Sequence, residues 1–173
     1  MGIEAVRTAR LTGARPVFRD ADDLHPVLAD ERVAEWLSPG RGGWTPSQVR
    51  ALLVKDVDHW KRHGWGPWLV RDAATRQALG RVGLARTTVG GAEEVEVAWF
   101  IAADRWGEGL ATEMAAEAVR VAFEEVGLPD VVAFTLHDNA ASRRVMERLG
   151  FAYERDVEHA GLPHVLYRLR RSA

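Results

Sequence analysis

Apolar positions divide the chain into segments of two periods. "DADDLHPVLADERVAEWL" places Leu24, Val27, Leu28, Val33, Trp36 and Leu37 at helical spacing, which predicts two short helices, and "SPGRGG" ends the pattern. A longer helix follows. Thr45 is placed as its N-cap, Pro46 suits the first helical position and Gln48 closes a capping box, so the helix should run to about His63 and stop at Gly64. Leu11 to Phe18 reads as an extended start. "PWLV", "ALGRVGLART" and "EEVEVAWFIA" then read as strands joined by the polar "RDAATRQ" and the turn "VGGAE", an antiparallel meander.

Helical spacing returns from Gly107 to Val126 through Leu110, Met114, Ala118, Val121, Ala122 and Phe123. Gly127 and Pro129 supply the stop. "VVAFTL" is a buried strand, "NAASRRVMERLG" a helix stopped by Gly150, and "HVLYRLR" a last strand. Antiparallel strands followed by one strand–helix–strand unit predict a mixed α/β fold, with a right-handed crossover onto a mostly antiparallel sheet. No linker or internal repeat divides residues 1–173, so one domain is expected.

Composition narrows the function classes. A formal charge of −2 gives no general field for nucleic acid, and the absence of cysteine removes thiolate metal sites and cysteine nucleophiles. "MGIEAVRTAR" lacks the apolar core of a signal peptide. Val6 stands where a myristoylation signal needs Ser or Thr, and no run approaches the ~20 apolar residues of a membrane span. A cytoplasmic protein without membrane or nucleic-acid partners is expected, as a monomer or homodimer.

The stretch "DRWGEGLATE" carries the first chemical signal. Two glycines, Gly107 and Gly109, open a long helix, where unpaired N–H groups and a partial positive charge suit an anion. A plain flexible turn is the competing reading. A P-loop would need Gly-Lys-Ser/Thr, and none is present. A dinucleotide fold would want a third glycine where Thr112 stands, early in a series of crossover units.

"VEVAWFIAADRWGEGLATE" followed by "HDNAASRRVMERLGF" resembles the GNAT acyltransferase superfamily, and within it the RimJ/RimL-like branch. "TARLTGARPV", "LADERVAEWL" and "HWKRHGWGPWLV" resemble the same branch, so the likeness covers roughly residues 8 to 170. The resemblance implies a GNAT-like domain whose central sheet is splayed at the acyl-CoA site and flanked by helices. Acetyl-CoA serves as co-substrate, no metal is required, and an amine-bearing small molecule or peptide arrives from the other side. The family's phosphate motif reads Gln/Arg-x-x-Gly-x-Gly/Ala. Gly107 and Gly109 match it, whereas Asp104 holds the Gln/Arg position and Arg105 comes one residue late. The cofactor-binding set implied is Trp99, Phe100, Ile101, Arg105, Trp106, Gly107, Glu108, Gly109, Leu110, Ala111, Thr112, Asn139 and Ser142. Trp36, Trp44 and Trp65 lie near segments that wall the acceptor site in this branch.

Transfer from a thioester to an amine needs a neutral nucleophile, and lysine titrates near ~10.4. On "EEVEVAWFI", Glu94, Glu96 and Ala98 share a strand face. The resemblance makes Glu96 the first candidate base, with Glu93 and Glu94 as competitors. Met146 stands where many relatives carry a tyrosine that protonates the departing thiolate, and Ser142 matches the serine placed beside the sulfur. Asn139 matches a pantetheine contact, although Asn139 and Ser142 also suit a helix cap and first turn. The expected activity is direct acetyl transfer to a primary amine, with a backbone N–H near Trp99 to Ile101 meeting the oxyanion. A non-catalytic CoA-binding sensor or scaffold is the alternative. His59 and His63 have zinc-like spacing but lack the companion glutamate and read as a helix C-terminus, while "YRLRR" reads as a solvated strand edge.

Overall fold

The computed structural model describes residues 3–172. An eight-stranded sheet runs in the order β1-β2-β3-β4-β5-β6-β8-β7. Its strands are β1 (Ala5–Arg7), β2 (Leu11–Ala14), β3 (Pro67–Asp72), β4 (Ala78–Val89), β5 (Ala92–Ile101), β6 (Asp130–Leu136), β7 (Ala152–His159) and β8 (Leu162–Arg170). The helices are α1 (Asp20–Ala29), α2 (Glu31–Leu37), α3 (Pro46–His63), α4 (Leu110–Arg120) and α5 (Ala140–Arg148). All strand pairings but one are antiparallel. The exception, β5 with β6, registers at a single pair, Glu96 with Val132. Beyond that pair the two strands part, and the sheet opens toward the C-terminal ends of both.

Local chemistry explains the best-defined element. Thr45 accepts from the Gln48 amide while the Gln48 side chain accepts from the Thr45 amide, a reciprocal cap at the head of α3. Gly64 closes α3 in the left-handed conformation at φ 72°. The helix that follows β5 departs from its expected form. Gly109 is its N-cap and Leu110 its first residue, so the chain from Ala102 makes a short 3-10 turn before the helix begins. At the far end, Val121–Glu125 widens into a π-helical turn, where the Val126 amide donates to the Val121 carbonyl before Gly127 stops the run.

Two strands escape the apolar pattern. β1 has three residues with only Val6 buried, and β7 is an edge strand with Val157 as its one buried position. β8 is not an edge. It lies between β6 and β7, and Arg168, read from sequence as part of a solvated edge, is largely covered.

The sheet separates two packed layers. Val97 and Ile101 of β5 share a core with Leu110, Met114, Ala118 and Met146 of α4 and α5. Phe100, on the other face, packs with Leu24, Leu28, Val33, Val49 and Leu53 of α1, α2 and α3. Strand alternation therefore sends neighbouring β5 residues to opposite sides of the molecule.

Candidate active site

A cavity of about 620 Å³ occupies the opening between β5 and β6 and reaches both layers. On one side lies the start of α4. Gly107 and Gly109 adopt φ 81° and 79°, and a Cβ on Gly107 would meet nothing within 4 Å. What the chain itself requires of these glycines is a left-handed backbone, costly for other residues, and not merely room. No side chain caps α4. Its first amides therefore remain available to an anion in the cleft, which Gly107, Gly109, Leu110, Ala111 and Thr112 line.

The N-terminal strands brace this turn. The Arg10 guanidinium donates to the Glu108 carbonyl (2.9 Å) and to the Glu113 carboxylate (2.7 Å), and the Thr8 hydroxyl donates to Glu113 as well (2.6 Å). Arg105 lines the cleft, and its side chain is engaged by neighbouring acids. Arg105 pairs with Glu108 (2.7 Å) and Asp72 (3.0 Å), and Glu108 is not among the residues lining the cleft. Asp104, the acid at the odd motif position, is directed to Arg32 at 2.8 Å and also lies outside the cleft. Trp106 lines the cleft while its indole donates to the Ile101 carbonyl (2.7 Å).

Asn139 and Ser142 lie across the opening on α5, both against the cleft. Asn139 is buried and caps α5, accepting from the Ser142 amide at 3.1 Å. The cap thus fixes Ser142, whose hydroxyl has no partner among the described residues. Met146 is buried in the core and presents part of its surface to the same cavity. Arg144 and Arg148, one turn apart on α5, border the cleft and pair with no acid among the described residues. Sequence reading had not singled them out.

Glu96 faces the opposite layer. It stands opposite Ala85 on β4 and Val132 on β6, on the face that also carries Arg81 and Phe100. Burial pushes its carboxyl up to about 7, with Arg81 pulling it down and Asp56 adding to the rise. Arg81 does not neutralise Glu96 directly, because both arms of its guanidinium bind Asp56 on α3 at 2.6 and 2.7 Å. Neither partner was visible as a site residue in the sequence, since Asp56 and Arg81 meet only through the fold. Trp99, Phe100 and Ile101 complete the β5 wall.

The three tryptophans divide. Trp36 and Trp44 line the cleft, and Trp65, also expected near the acceptor, is not among its lining residues. It is buried in the main core, edge-on to His59. His59 bonds the Trp65 carbonyl through Nδ1 (2.9 Å) and accepts the Arg86 amide at Nε2 (3.0 Å). The His59/His63 pair thus joins a helix end to strand β4, and no acid–imidazole group able to hold a metal occurs among the described residues. No described helix is long and apolar enough to cross a membrane.

Known proteins resemble this chain in sequence or in fold. The uncharacterized protein YkkB of Bacillus subtilis (strain 168) is 27% identical over 120 residues, covering 69% of this chain and 70% of that one. An acetyltransferase from Agrobacterium tumefaciens str. C58 superposes with a TM-score of 0.81 at 22% identity, over 99% of this chain and 96% of the other. RimL, the ribosomal L7/L12 alpha-N-protein acetyltransferase solved with coenzyme A, has a TM-score of 0.78 at 16% identity, over 96% and 98% of the two chains. The model of the acetyltransferase (GNAT) domain family matches residues 10–152, most of the chain, and the protein belongs to the GNAT acetyltransferase family.

Proposed function

We propose that the protein is an N-acetyltransferase that moves the acetyl group of acetyl-CoA directly to a primary amine. The observation that carries the reading is Glu96, a carboxyl held near neutrality at the point where β5 and β6 part, in a cleft shared with an uncapped helix start. A base poised near 7 can take a proton from an ammonium at neutral pH, whereas an ordinary glutamate is too weak to do so efficiently. Glu93 and Glu94 are poorer candidates: Glu93 is exposed beside Thr88, and Glu94 is tied to Arg168 at 2.7 Å.

The two layers divide the work. Amides from Gly107 to Thr112, with Arg144 and Arg148 nearby, suit the phosphates of the donor, and the Asn139 end of α5 suits its pantetheine arm. The acceptor enters over Trp36 and Trp44, loses its proton to Glu96 and attacks the thioester carbonyl. The C–N bond forms, the C–S bond breaks, the second amine proton passes from nitrogen to the departing sulfur so that CoA leaves as the thiol, and the Ser142 hydroxyl donates a hydrogen bond as charge develops on sulfur. Polarity supports this split, since Glu96 is kept on the face away from the anion cradle.

The test is a screen of amines and short peptides for an acetyl-CoA-dependent mass gain with stoichiometric thiol release. Acetylated amine is the expected product. Tight acetyl-CoA binding without release across the panel would instead make the protein a CoA-binding sensor or scaffold.

A further inference from the structure

The acceptor side of the cleft has a composition that selects among amines. Phe100 of β5 stands opposite Arg81, and His164 of β8 stands opposite Leu136, two residues along β6 from Phe134. Glu96, Arg81, Phe100, Phe134 and His164 therefore share one sheet face, and α2 brings Trp36 to the same cavity.

The charges on this wall are nearly all spent. Arg81 is satisfied by Asp56. His164 is buried, and its Nδ1 must donate to the Leu162 carbonyl at 3.0 Å. His159, 5.5 Å from it, is held below the ordinary imidazole range by burial and by His164. Among the described residues, Glu96 is the only carboxylate lining the whole cleft. Every other charged group there is cationic.

We infer that the acceptor is a primary amine on an apolar, aromatic or aliphatic body that carries no second positive charge. The inference rests on the acyltransferase reading and goes beyond it by naming the substrate class. One ammonium finds one counter-charge, Glu96, and gives it the proton. A second ammonium would lose its water among an arginine, two imidazoles and aromatic rings, with no carboxylate to receive it. An apolar body instead covers aromatic surface that the chain leaves open, for Trp36 and Leu37 are each 40% exposed at the mouth. The body can belong to a free amine or to the first residue of a peptide, and the assay separates these.

The experiment compares hexylamine with 1,6-diaminohexane, 2-phenylethylamine with spermidine, and an uncharged peptide amide beginning with Phe, using mass gain and initial rates. The monoamines should exceed the matched diamine by about 100-fold or more in kcat/KM. Trp36→Ala should raise KM for 2-phenylethylamine about 10-fold with kcat and acetyl-CoA binding nearly unchanged. Trp36→Asp, which places a second acid at the mouth, should narrow the hexylamine-to-diamine ratio by about 10-fold. A diamine or spermidine used as well as its monoamine counterpart, or a ratio unmoved by Trp36→Asp, would overturn the inference while leaving acetyl transfer intact. Failure of every amine and peptide would overturn the acyltransferase reading itself, and the substrate class with it. The peptide or the free amine, whichever shows the higher kcat/KM, identifies the source of the apolar body.

Discussion

Replacing Glu96 by Gln retains shape and removes the base, and the structure fixes how the loss should vary with pH. With a carboxyl at about 7, the ionised fraction is roughly 1% at pH 5 and roughly 90% at pH 8. A glutamate at 4.5 would already be roughly 75% ionised at pH 5. The base should contribute about 100-fold to the rate when ionised. The ratio of wild-type to Glu96→Gln kcat/KM should therefore be close to one at pH 5 and about 100 at pH 8. An acceptor whose amine titrates below about 5, such as a hydrazide, stays neutral across this range, so the ratio follows ionisation of Glu96 alone. Initial rates of thiol release with that acceptor, at constant ionic strength, provide the measurement. A ratio that stays flat between pH 5 and 8 would refute the assignment and return the role to Glu93, Glu94 or water.

The same carboxyl affects stability in the opposite sense. Its folded pKa lies above its unfolded value, so its contribution is fully present below about 4.5 and is lost as pH rises through about 7. Gln carries no such cost. Glu96→Gln should melt with wild type at pH 5 and above it at pH 8, by at most about 3 kcal/mol, reduced by the water that reaches Glu96 through the cleft. A variant that is slower yet more stable, and only at the higher pH, separates loss of a base from damage to the fold.

Three further substitutions probe the remaining parts. Gly109→Val forces a β-branched residue into a left-handed turn and adds bulk at the cradle, so acetyl-CoA should bind at least about 10-fold more weakly by calorimetry; wild-type affinity in the folded variant would move the phosphate site elsewhere. Ser142→Ala should slow single-turnover acetyl transfer on the order of 10–10³-fold with donor affinity nearly intact, and an unchanged rate would leave Ser142 as a helix residue only. Arg168→Met strands Glu94, Glu154 and Asp130, all partners of that guanidinium, and should cost about 2–3 kcal/mol in urea unfolding, less than a fully buried pair because the acids keep some water.

Features that depend on neighbours in sequence were legible. Thr45, Pro46, Gln48 and Gly64 define α3 at both ends, and the glycines before α4 mark an anion-ready helix start. Features that depend on distant partners were not. "AYERDVEH" alternates no apolar residues, because an edge strand with one buried side chain needs none, and His159 was hidden with it. Arg168 looked exposed because its burial is balanced by acids from three other strands. Trp65 follows Gly64 in a segment similar to an acceptor-site wall, but the turn sends its ring into the core beside His59.

Glu94 and Glu96 show why strand position alone could not assign the base. They are two residues apart on the same face of β5, and strand position gives them equal claim. Below the point where β5 and β6 part, Glu94 meets Arg168, which also binds Asp130 of β6 and Glu154 of β7, so this carboxylate helps hold the closed end of the sheet together. Two residues on, the strands separate, the arginine within reach is already held by Asp56, and Glu96 enters no ion pair among the described residues. One carboxylate is given a cation and a mechanical task; the other is denied one and kept protonatable. The opening of the sheet that makes room for a donor is thus the same feature that leaves Glu96 without a partner, so the chemistry of the base and the geometry of the cleft follow from one structural event.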